Sequence, residues 1–594
     1  MIKIDFDKEL TYARALLIPF AVAPFATVVN TINSLIKLAF VPATVLLTAY
    51  FINTALLMID LGLSLRIIIL PLILLALFKL YDYLVDPLLG LMNKKASQKY
   101  WYKMEHPLMQ SRASLKTQYE ENSETKNLAD RVWNGNDLVG IWDTFVSLIF
   151  SSTQMIIYMV IFLVSAPIPA LIVILPGIPL YMAGNKIGQK YYEARKELTK
   201  PHRLQNGYSW YLNDRNAVNE RQLFSFTPML QEMWMGVFEH IRKVDMNVQI
   251  YQNKVIYSKL FIENILTAIS LLVMLHMVIS GSLSVGMYIA IMGMMANVLG
   301  VHGMITGDVS LMRIQKSYLD EYNAYCRYSR VDGANNPMAT NVPAFSSLEF
   351  KNVSFSYPGR KGYILKNCSF VLQVGRRYSI VGANGSGKTT LVKLILKFYE
   401  NYEGEIFLNQ KSLKEWPLPV IKAMFSAAFQ DFVRYDISIA DNVAVGGGMT
   451  PEAHEVAGDA LEIVGLKETI EKFPNGMDTM LGKVHEGGVE PSTGQWHRIA
   501  IARTVASNAQ LRILDEPTAA LDPMAESEVY AQFDQISKGF TTIFISHRLA
   551  SAKIADTIFV LDEGKIVEQG SHAELMNMNG LYAKMYQSQR EWYL

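Results

Sequence analysis

Cysteine is almost missing from this sequence. Only Cys326 and Cys368 occur among 594 residues, which excludes a disulfide framework and a thiolate zinc site. Neither lies in a recognisable nucleophile context, so a cysteine-protease domain with its own nucleophile is not expected. Both read as ordinary small core or surface residues. Excess charge is missing too. With 55 Lys and Arg against 54 Asp and Glu the formal charge is +1, which gives no support to nucleic-acid binding as the main activity. Charged residues make up only 18% of the chain, while hydrophobic ones make up 51%. No cleavable signal is expected either. The opening "MIKIDFDKEL" is polar and acidic, and no short apolar block with a small-residue cleavage site follows.

What the chain does have is length enough for several domains, and long apolar runs. The runs continue to about residue 310; after about 345 the apolar residues alternate with charge. A helix needs roughly 20 mostly apolar residues to cross a bilayer. Six such spans are read, at about 27–59, 67–91, 139–165, 169–184, 260–279 and 283–304. The stretch "TYARALLIPFAVAPF" before the first reads as an interfacial helix. Three connections are tiny. The other two are long and basic, with Lys94, Lys95, Lys99 and Arg112 in one, and Lys190, Arg195, Lys196 and Arg203 in the other. The positive-inside rule puts these loops, both termini and the C-terminal domain in the cytoplasm. Stretches such as "VFEHIRKVDMNVQIYQNKVIYSKL" read as polar helices, so the membrane helices should project well past the lipid.

Some charge falls inside the spans. Lys79 and Asp82 share a helix face, Asp86 lies one turn on, and Glu263 and His276 stand on the fifth span. Intramembrane charge is expensive. These residues line a polar translocation cavity, form a Lys79–Asp82 pair, or lie beyond the lipid edge.

From Ser347 onward the pattern is that of strands and helices. "RRYSIVGANGSGKTTLVKLIL" is an apolar strand, a glycine loop and a helix, and it satisfies G-x-x-x-x-G-K-[ST] in the required context. Gly382, Asn384, Gly385, Ser386 and Gly387 would close backbone N–H groups round phosphate oxygens, at a helix N-terminus that adds partial positive charge. Lys388 should reach the β/γ-phosphates and Thr389 should hold Mg²⁺, with Thr390 beside it. Further on, "LRILDEP" reads as a buried strand delivering Asp515 and Glu516 to its carboxyl end. Asp515 suits the Mg²⁺ sphere, and Glu516 suits a general base for attacking water. Neighbouring strand residues face opposite ways, so the two can share a site only at the strand's end. Arg512 is odd within that strand and is read as lying at the sheet's edge.

This loop, "PSTGQ", "LDEPTAALD" and "FISHRLA" follow one another in the order and spacing of ATP-binding cassette proteins. Six spans ahead of one cassette resemble a half-transporter of the ABC exporter type, over essentially the whole chain. The implied fold is an α-helical membrane domain of six long transmembrane helices fused to an α/β P-loop nucleotide-binding domain. The divisions are 1–325, a linker at 326–346, and 347–594. The resemblance gives Tyr357 the role of stacking on adenine. Gln430 would reach Mg²⁺ or the attacking water, Asp522 would cross between cassettes, and His547 would contact the γ-phosphate. It also gives the regions near Glu120–Asn122 and Phe224–Phe226 the part of coupling helices.

In that family two cassettes pair head to tail, and the signature loop faces ATP held by the partner. Ser492, Gly494 and Gln495 match the usual Leu-Ser-Gly-Gly-Gln; Pro491 and Thr493 do not. Proline is tolerated at a helix start. Threonine would be strained at positive φ, and would otherwise only narrow the space near the phosphate. Intact Glu516 and His547 argue for a competent site. A dimer is implied, a homodimer first and a heterodimer second. "FQDFVRYDISIADNVAVG" resembles the branch that exports ribosomal peptides such as lantibiotics. The expected protein is an ATP- and Mg²⁺-dependent peptide exporter of a bacterial cytoplasmic membrane. Drug or lipid export is the main rival, and import or a sensory ATPase are further alternatives.

Overall fold

The computed structural model describes residues 9–61, 66–134, 140–174, 177–328, 330, 334–516, 533–546, 549 and 551–591. They form two compact units: residues 1–112 with 122–329, and residues 113–121 with 330–594.

The first unit is helical. Its long helices are α1 (Pro24–Leu61), α2 (Arg66–Ala113), α3 (Ile141–Ser165), α4 (Gly177–Asn213), α5 (Thr227–Ile279) and α6 (Val285–Cys326). Among the described residues, five of them (all but α4) are long and apolar enough to cross a membrane. The fourth expected span covers the helical residues Pro167–Ile174 and the start of α4, with 175 and 176 outside the described residues, and α4 continues into a polar sequence. The polar extensions are indeed helical: α5 alone has 53 residues, about 80 Å at 1.5 Å per residue, against a hydrocarbon core of about 30 Å.

The outer faces of these helices are apolar. Leu70 is 65% exposed, Tyr83 80% and Val164 82%. A water-soluble bundle buries such residues; a bilayer accepts them. The chain is thus a multi-pass membrane protein. The unit's interior is built from small and flexible side chains, among them Ala49, Ala166, Met274, Ala290, Met294 and Met295. Two glycines one turn apart bring α4 onto α6. A Cβ on Gly184 would stand 2.6 Å from the Thr306 carbonyl oxygen, and one on Gly188 2.6 Å from that of Ser310. Small residues at this spacing let membrane helices approach backbone to backbone. Ala15 and Ile18, in the stretch read as interfacial, are fully buried. That stretch is tied down beside Leu10, whose backbone exchanges two hydrogen bonds with the Asn323 side chain on α6.

The intramembrane charges have partners that periodicity on one helix could not supply. Asp82 and Asp86 both face Lys37 of α1, at 3.4 and 2.7 Å, so the cation that meets Asp82 comes from another helix and not from Lys79, as one of the three readings had it. Glu263 on α5 meets His302 on α6, Oε1 to Nδ1 at 2.7 Å, with both side chains 3% exposed. Lys259 stands 3.8 Å from the other carboxylate oxygen. Removing one member of such a pair strands the other, at about 3–5 kcal/mol. Glu263→Leu or His302→Leu should therefore lower the melting temperature of the solubilised protein markedly. The double Leu variant should recover most of that loss. Additive losses in the double variant would show the two groups to be uncoupled.

The second unit is α/β. An antiparallel sheet runs in the order β2-β1-β4-β5, from β1 (Ser347–Phe355), β2 (Leu365–Gln373), β4 (Glu403–Leu408) and β5 (Lys411–Ser412). A second sheet holds β3 (Arg377–Val381), β6 (Phe425–Ala428), β7 (Leu511–Asp515), β8 (Thr541–Ile545), β9 (Thr557–Asp562) and β10 (Lys565–Gly570), in the order β10-β9-β3-β8-β7-β6. Its pairs from β6 to β9 are parallel, and only β10 runs antiparallel. Parallel strands are covered on both faces, which is why β7 and β8 are buried at every position. Two helices matter for the site. Helix α7 (Lys388–Ile395) follows β3, and α8 (Thr493–Ala506) precedes β7.

Candidate active site

In an open parallel sheet, ligands bind outside the carboxyl ends of the strands. The register fixes which residues reach that edge together. Ile545 of β8 is level with both Ile380 of β3 and Asp515 of β7. The glycine loop after β3 and the carboxylates after β7 therefore open on the same edge, two strand spacings apart, or about 10 Å.

The loop Gly382–Gly387 bends because its backbone can. Gly387, with φ +109°, caps α7 in a left-handed conformation that a side chain would strain. Gly382 lies so close to β9 that a Cβ would stand 2.1 Å from the Leu561 carbonyl oxygen. Asn384 and Gly385 are exposed at the tip, whereas Ser386 is 5% exposed and its hydroxyl has no hydrogen-bond partner among the described residues. Lys388 is 7% exposed, and its ammonium donates to the carbonyls of Gly382 at 2.9 Å and Ala383 at 3.1 Å. Burial lowers its pKa, while Glu516 and Asp515 oppose that fall. The loop thus encloses a cation at its centre, with a free hydroxyl and open backbone beside it. That donor set is built for an anion.

Asp515 ends β7 and is 3% exposed. Burial, then repulsion from Glu516, push its carboxyl up to about 6; Lys388 and a hydrogen bond with Thr389 act the other way. Glu516, the next residue, leaves the strand with φ +50°. Left-handed backbone is uncommon for a residue with a side chain and costs roughly 1–3 kcal/mol. It persists here because the Glu516 N–H is held by the Ile545 carbonyl at 2.8 Å. The turn breaks the strand's alternation, which lets adjacent carboxylates serve one site. Gln430 stands in an exposed turn just after β6, on the same edge. The neighbouring Asp431 adds negative charge that Asp515 feels; nothing in the motif pattern had singled it out.

Tyr357 follows β1, and its hydroxyl lies 3.1 Å from Thr390 Oγ1 on α7. Ser492 caps α8. Its hydroxyl accepts from the Gln495 N–H at 3.2 Å, and the Gln495 side chain accepts from the Ser492 N–H at 2.8 Å. This reciprocal capping box leaves Ser492 and Thr493 exposed at the helix tip. Thr493 is the first helical residue and neither it nor Gly494 has positive φ, so the strain that threonine would suffer there does not arise. Asp522 and His547 lie outside the described residues.

Several further residues fix this arrangement; Arg503 continues the signature pattern of the resemblance, whereas the others were not legible as motifs. Arg503 of α8 bonds the Val433 and Asn442 carbonyls at 2.8 and 2.9 Å and the Asn442 side chain at 2.7 Å, tying the segment after Gln430 to the signature helix. His497 is buried and stacks on Phe432 with centroids 5.4 Å apart; burial lowers its pKa to about 4. Arg512 is not at the sheet's edge, because β7 lies between β8 and β6. Its guanidinium is buried under Phe540, 3.5 Å from the ring centroid, and bonds the Ile536 and Val505 carbonyls at 2.6 and 3.3 Å. Tertiary packing thus supplies the acceptors and the aromatic face that a cation in an apolar strand needs. Cys368 is likewise buried, with its thiol on the Gly564 carbonyl.

A phosphate loop, a carboxylate pair and a capped helix on this sheet, in a chain that also carries membrane-crossing helices, give the chain the fold of an ABC exporter. Residues 365–519 match the family model described as ABC transporter, which implies ATP binding. A "subtilin transport ATP-binding protein" of Bacillus subtilis is 28% identical over 530 residues, covering 86% of this chain and 83% of that protein. An "ATP-dependent lipid A-core flippase" of Pseudomonas aeruginosa is 39% identical, but over 239 residues, 40% of this chain and 39% of the flippase. The structure of a bacterial Atm1-family ABC exporter with ATP bound superposes with a TM-score of 0.79 at 23% identity, over 95% of this chain and 98% of that one.

Proposed function

We propose that this chain is one half of a dimeric exporter that uses ATP hydrolysis to move a ribosomally made peptide of the lantibiotic kind out of a bacterial cell. The observation that carries the cargo assignment is extent. Similarity to the subtilin transport protein runs through both the helical and the nucleotide units, covering 86% of the chain. Similarity to the flippases is higher but confined to about the length of one cassette, and a cassette's chemistry is the same whatever the cargo. Lipid export remains the second reading on the strength of those flippases.

In the proposed mechanism Lys388 and the loop N–H groups bind the β- and γ-phosphates, and Tyr357 stacks on the base. Thr389, Asp515 and Gln430 offer the oxygen ligands that Mg²⁺ prefers, and a buried carboxylate beside a second one is a fitting place for a cation. When bound, Mg²⁺ supplies charge neutralisation at the phosphate oxygens. Glu516 takes the proton of the attacking water, and His547 holds the γ-phosphate. The exposed Ser492, with Gly494 and Gln495, presents a helix N-terminus to the phosphate held by a second copy, and Asp522 crosses between the two. A homodimer is preferred, and the capping box with the unstrained Thr493 supports a competent signature in this chain. The basic loops favour cytoplasmic termini and cassette in the bacterial cytoplasmic membrane.

The test is ATPase activity of the purified chain in lipid, titrated with a lantibiotic precursor peptide, with lipid A, and with hydrophobic drugs. Saturable stimulation by the peptide alone is expected. Stimulation by lipid A and not by peptide would move the assignment to the flippase reading.

A further inference from the structure

The second unit contains a short segment, 113–121, that is distant in sequence from the rest of it. Its last residue, Glu121, is half exposed and holds two partners at once. Its Oε1 lies 3.2 Å from Lys393 Nζ, and its Oε2 accepts from the Tyr399 hydroxyl. Both partners frame one ring. Lys393 lies over the face of Tyr357, 5.3 Å from its centroid, and Tyr399 meets that ring edge-on at 5.4 Å and 85°. Lys393 is three residues beyond Thr390 on α7, so the two share a helix face. Thr390 fixes the hydroxyl end of Tyr357.

An exposed Glu–Lys pair contributes little to stability. Its geometric effect is larger. Without Glu121, Lys393 is a long, flexible cation free to leave the ring, and the buried Tyr399 hydroxyl loses its acceptor. Burial and Glu121 both raise the Tyr399 pKa, which keeps that hydroxyl a donor. A second contact anchors the same segment, where Lys116 Nζ lies 3.1 Å from Glu400.

We propose that Glu121 is a positioning residue for the nucleotide base: through Lys393 and Tyr399 it holds the Tyr357 ring in the orientation that receives the purine. The proposal rests on the reading of Tyr357 as the base-stacking aromatic. It makes the 113–121 segment a determinant of nucleotide affinity rather than of hydrolysis.

The experiment uses the full chain in lipid and two probes, ATP and inorganic tripolyphosphate, which carries the phosphates without a base. For Glu121→Ala, the loss of a ring contact should raise the KM for ATP about three- to tenfold, with kcat at saturating ATP nearly unchanged. The affinity for tripolyphosphate, measured by displacement of a fluorescent nucleotide, should not move. Glu121→Gln keeps an acceptor for Tyr399 but loses the ion pair, and should fall between; Lys393→Met should match it. In Tyr357→Ala, adding Glu121→Ala should cause no further loss. If Tyr357→Ala does not weaken ATP relative to tripolyphosphate, the stacking reading falls and the proposal with it. If Tyr357→Ala weakens ATP but neither Glu121 variant does, or if Glu121→Ala weakens both probes equally, only the proposal falls.

Discussion

Glu516→Gln is expected to stop ATP turnover while leaving nucleotide binding intact. The carboxylate sits on a left-handed turn that takes it out of the strand's alternation, with its backbone N–H pinned to Ile545. Glutamine has the same shape and keeps that backbone hydrogen bond, but it cannot accept the proton of an attacking water. Loss of a general base typically costs about 10²–10⁴ in rate. Phosphate release should therefore fall by at least ~100-fold, whereas the affinity for a fluorescent ATP analogue should stay within a factor of about two, since Lys388 and the loop are untouched. A variant that retained a third or more of its turnover would remove Glu516 from the role of base. The assignment would then pass to another group on this edge, Asp431 first, because its charge reaches Asp515.

Ser492→Arg is expected to abolish turnover without weakening ATP binding by the same chain. Ser492 is exposed at the tip of α8 and is not part of the chain's own phosphate loop. Its bulkier replacement should block the approach of that helix N-terminus to a phosphate held by a second copy. Removing transition-state donors of this kind costs about 10²–10³ in kcat each. Thr493→Gly should behave quite differently. Thr493 is helical and unstrained, so the change should alter turnover by less than about threefold, and its main effect should be a modest loss of helix propensity. Complementation separates pairing from a local fault. Lys388→Ala and Ser492→Arg chains, each inactive, should regain turnover when co-reconstituted. In the mixed dimer one site then combines an intact phosphate loop with an intact signature. No recovery on mixing, with both variants shown to be folded, would contradict head-to-tail pairing.

Much of this site could be read from the sequence because its chemistry is local. A phosphate loop must have glycines where the backbone turns and a lysine where the helix begins, so "GANGSGKTT" announces itself. "LRILDEP" does the same, because a run of buried strand residues ending in two carboxylates has few other uses. Contacts between distant segments were less legible. No periodicity on α2 reveals that Asp82 and Asp86 meet Lys37 of α1. None on α5 reveals that Glu263 meets His302. Arg512 looked like an edge residue because an apolar strand has no obvious use for a cation; its partners are carbonyls brought there by tertiary packing. The question of Thr493 turned on one dihedral, which a sequence does not specify when a capping box and a glycine preference compete for the same position. The fourth apolar segment shows the same limit from the other side: beyond Gly184 the sequence turns polar, yet α4 stays helical to Asn213.

ATP hydrolysis at this site is proposed to move a peptide across the membrane. That movement is tested most directly in proteoliposomes that contain this chain alone, with the cassettes facing outward. ATP and a lantibiotic precursor peptide are added outside, and peptide protected from external protease is measured. ATP-dependent accumulation is expected, and it should be absent with Glu516→Gln. Steady ATP turnover with no protected peptide would contradict it.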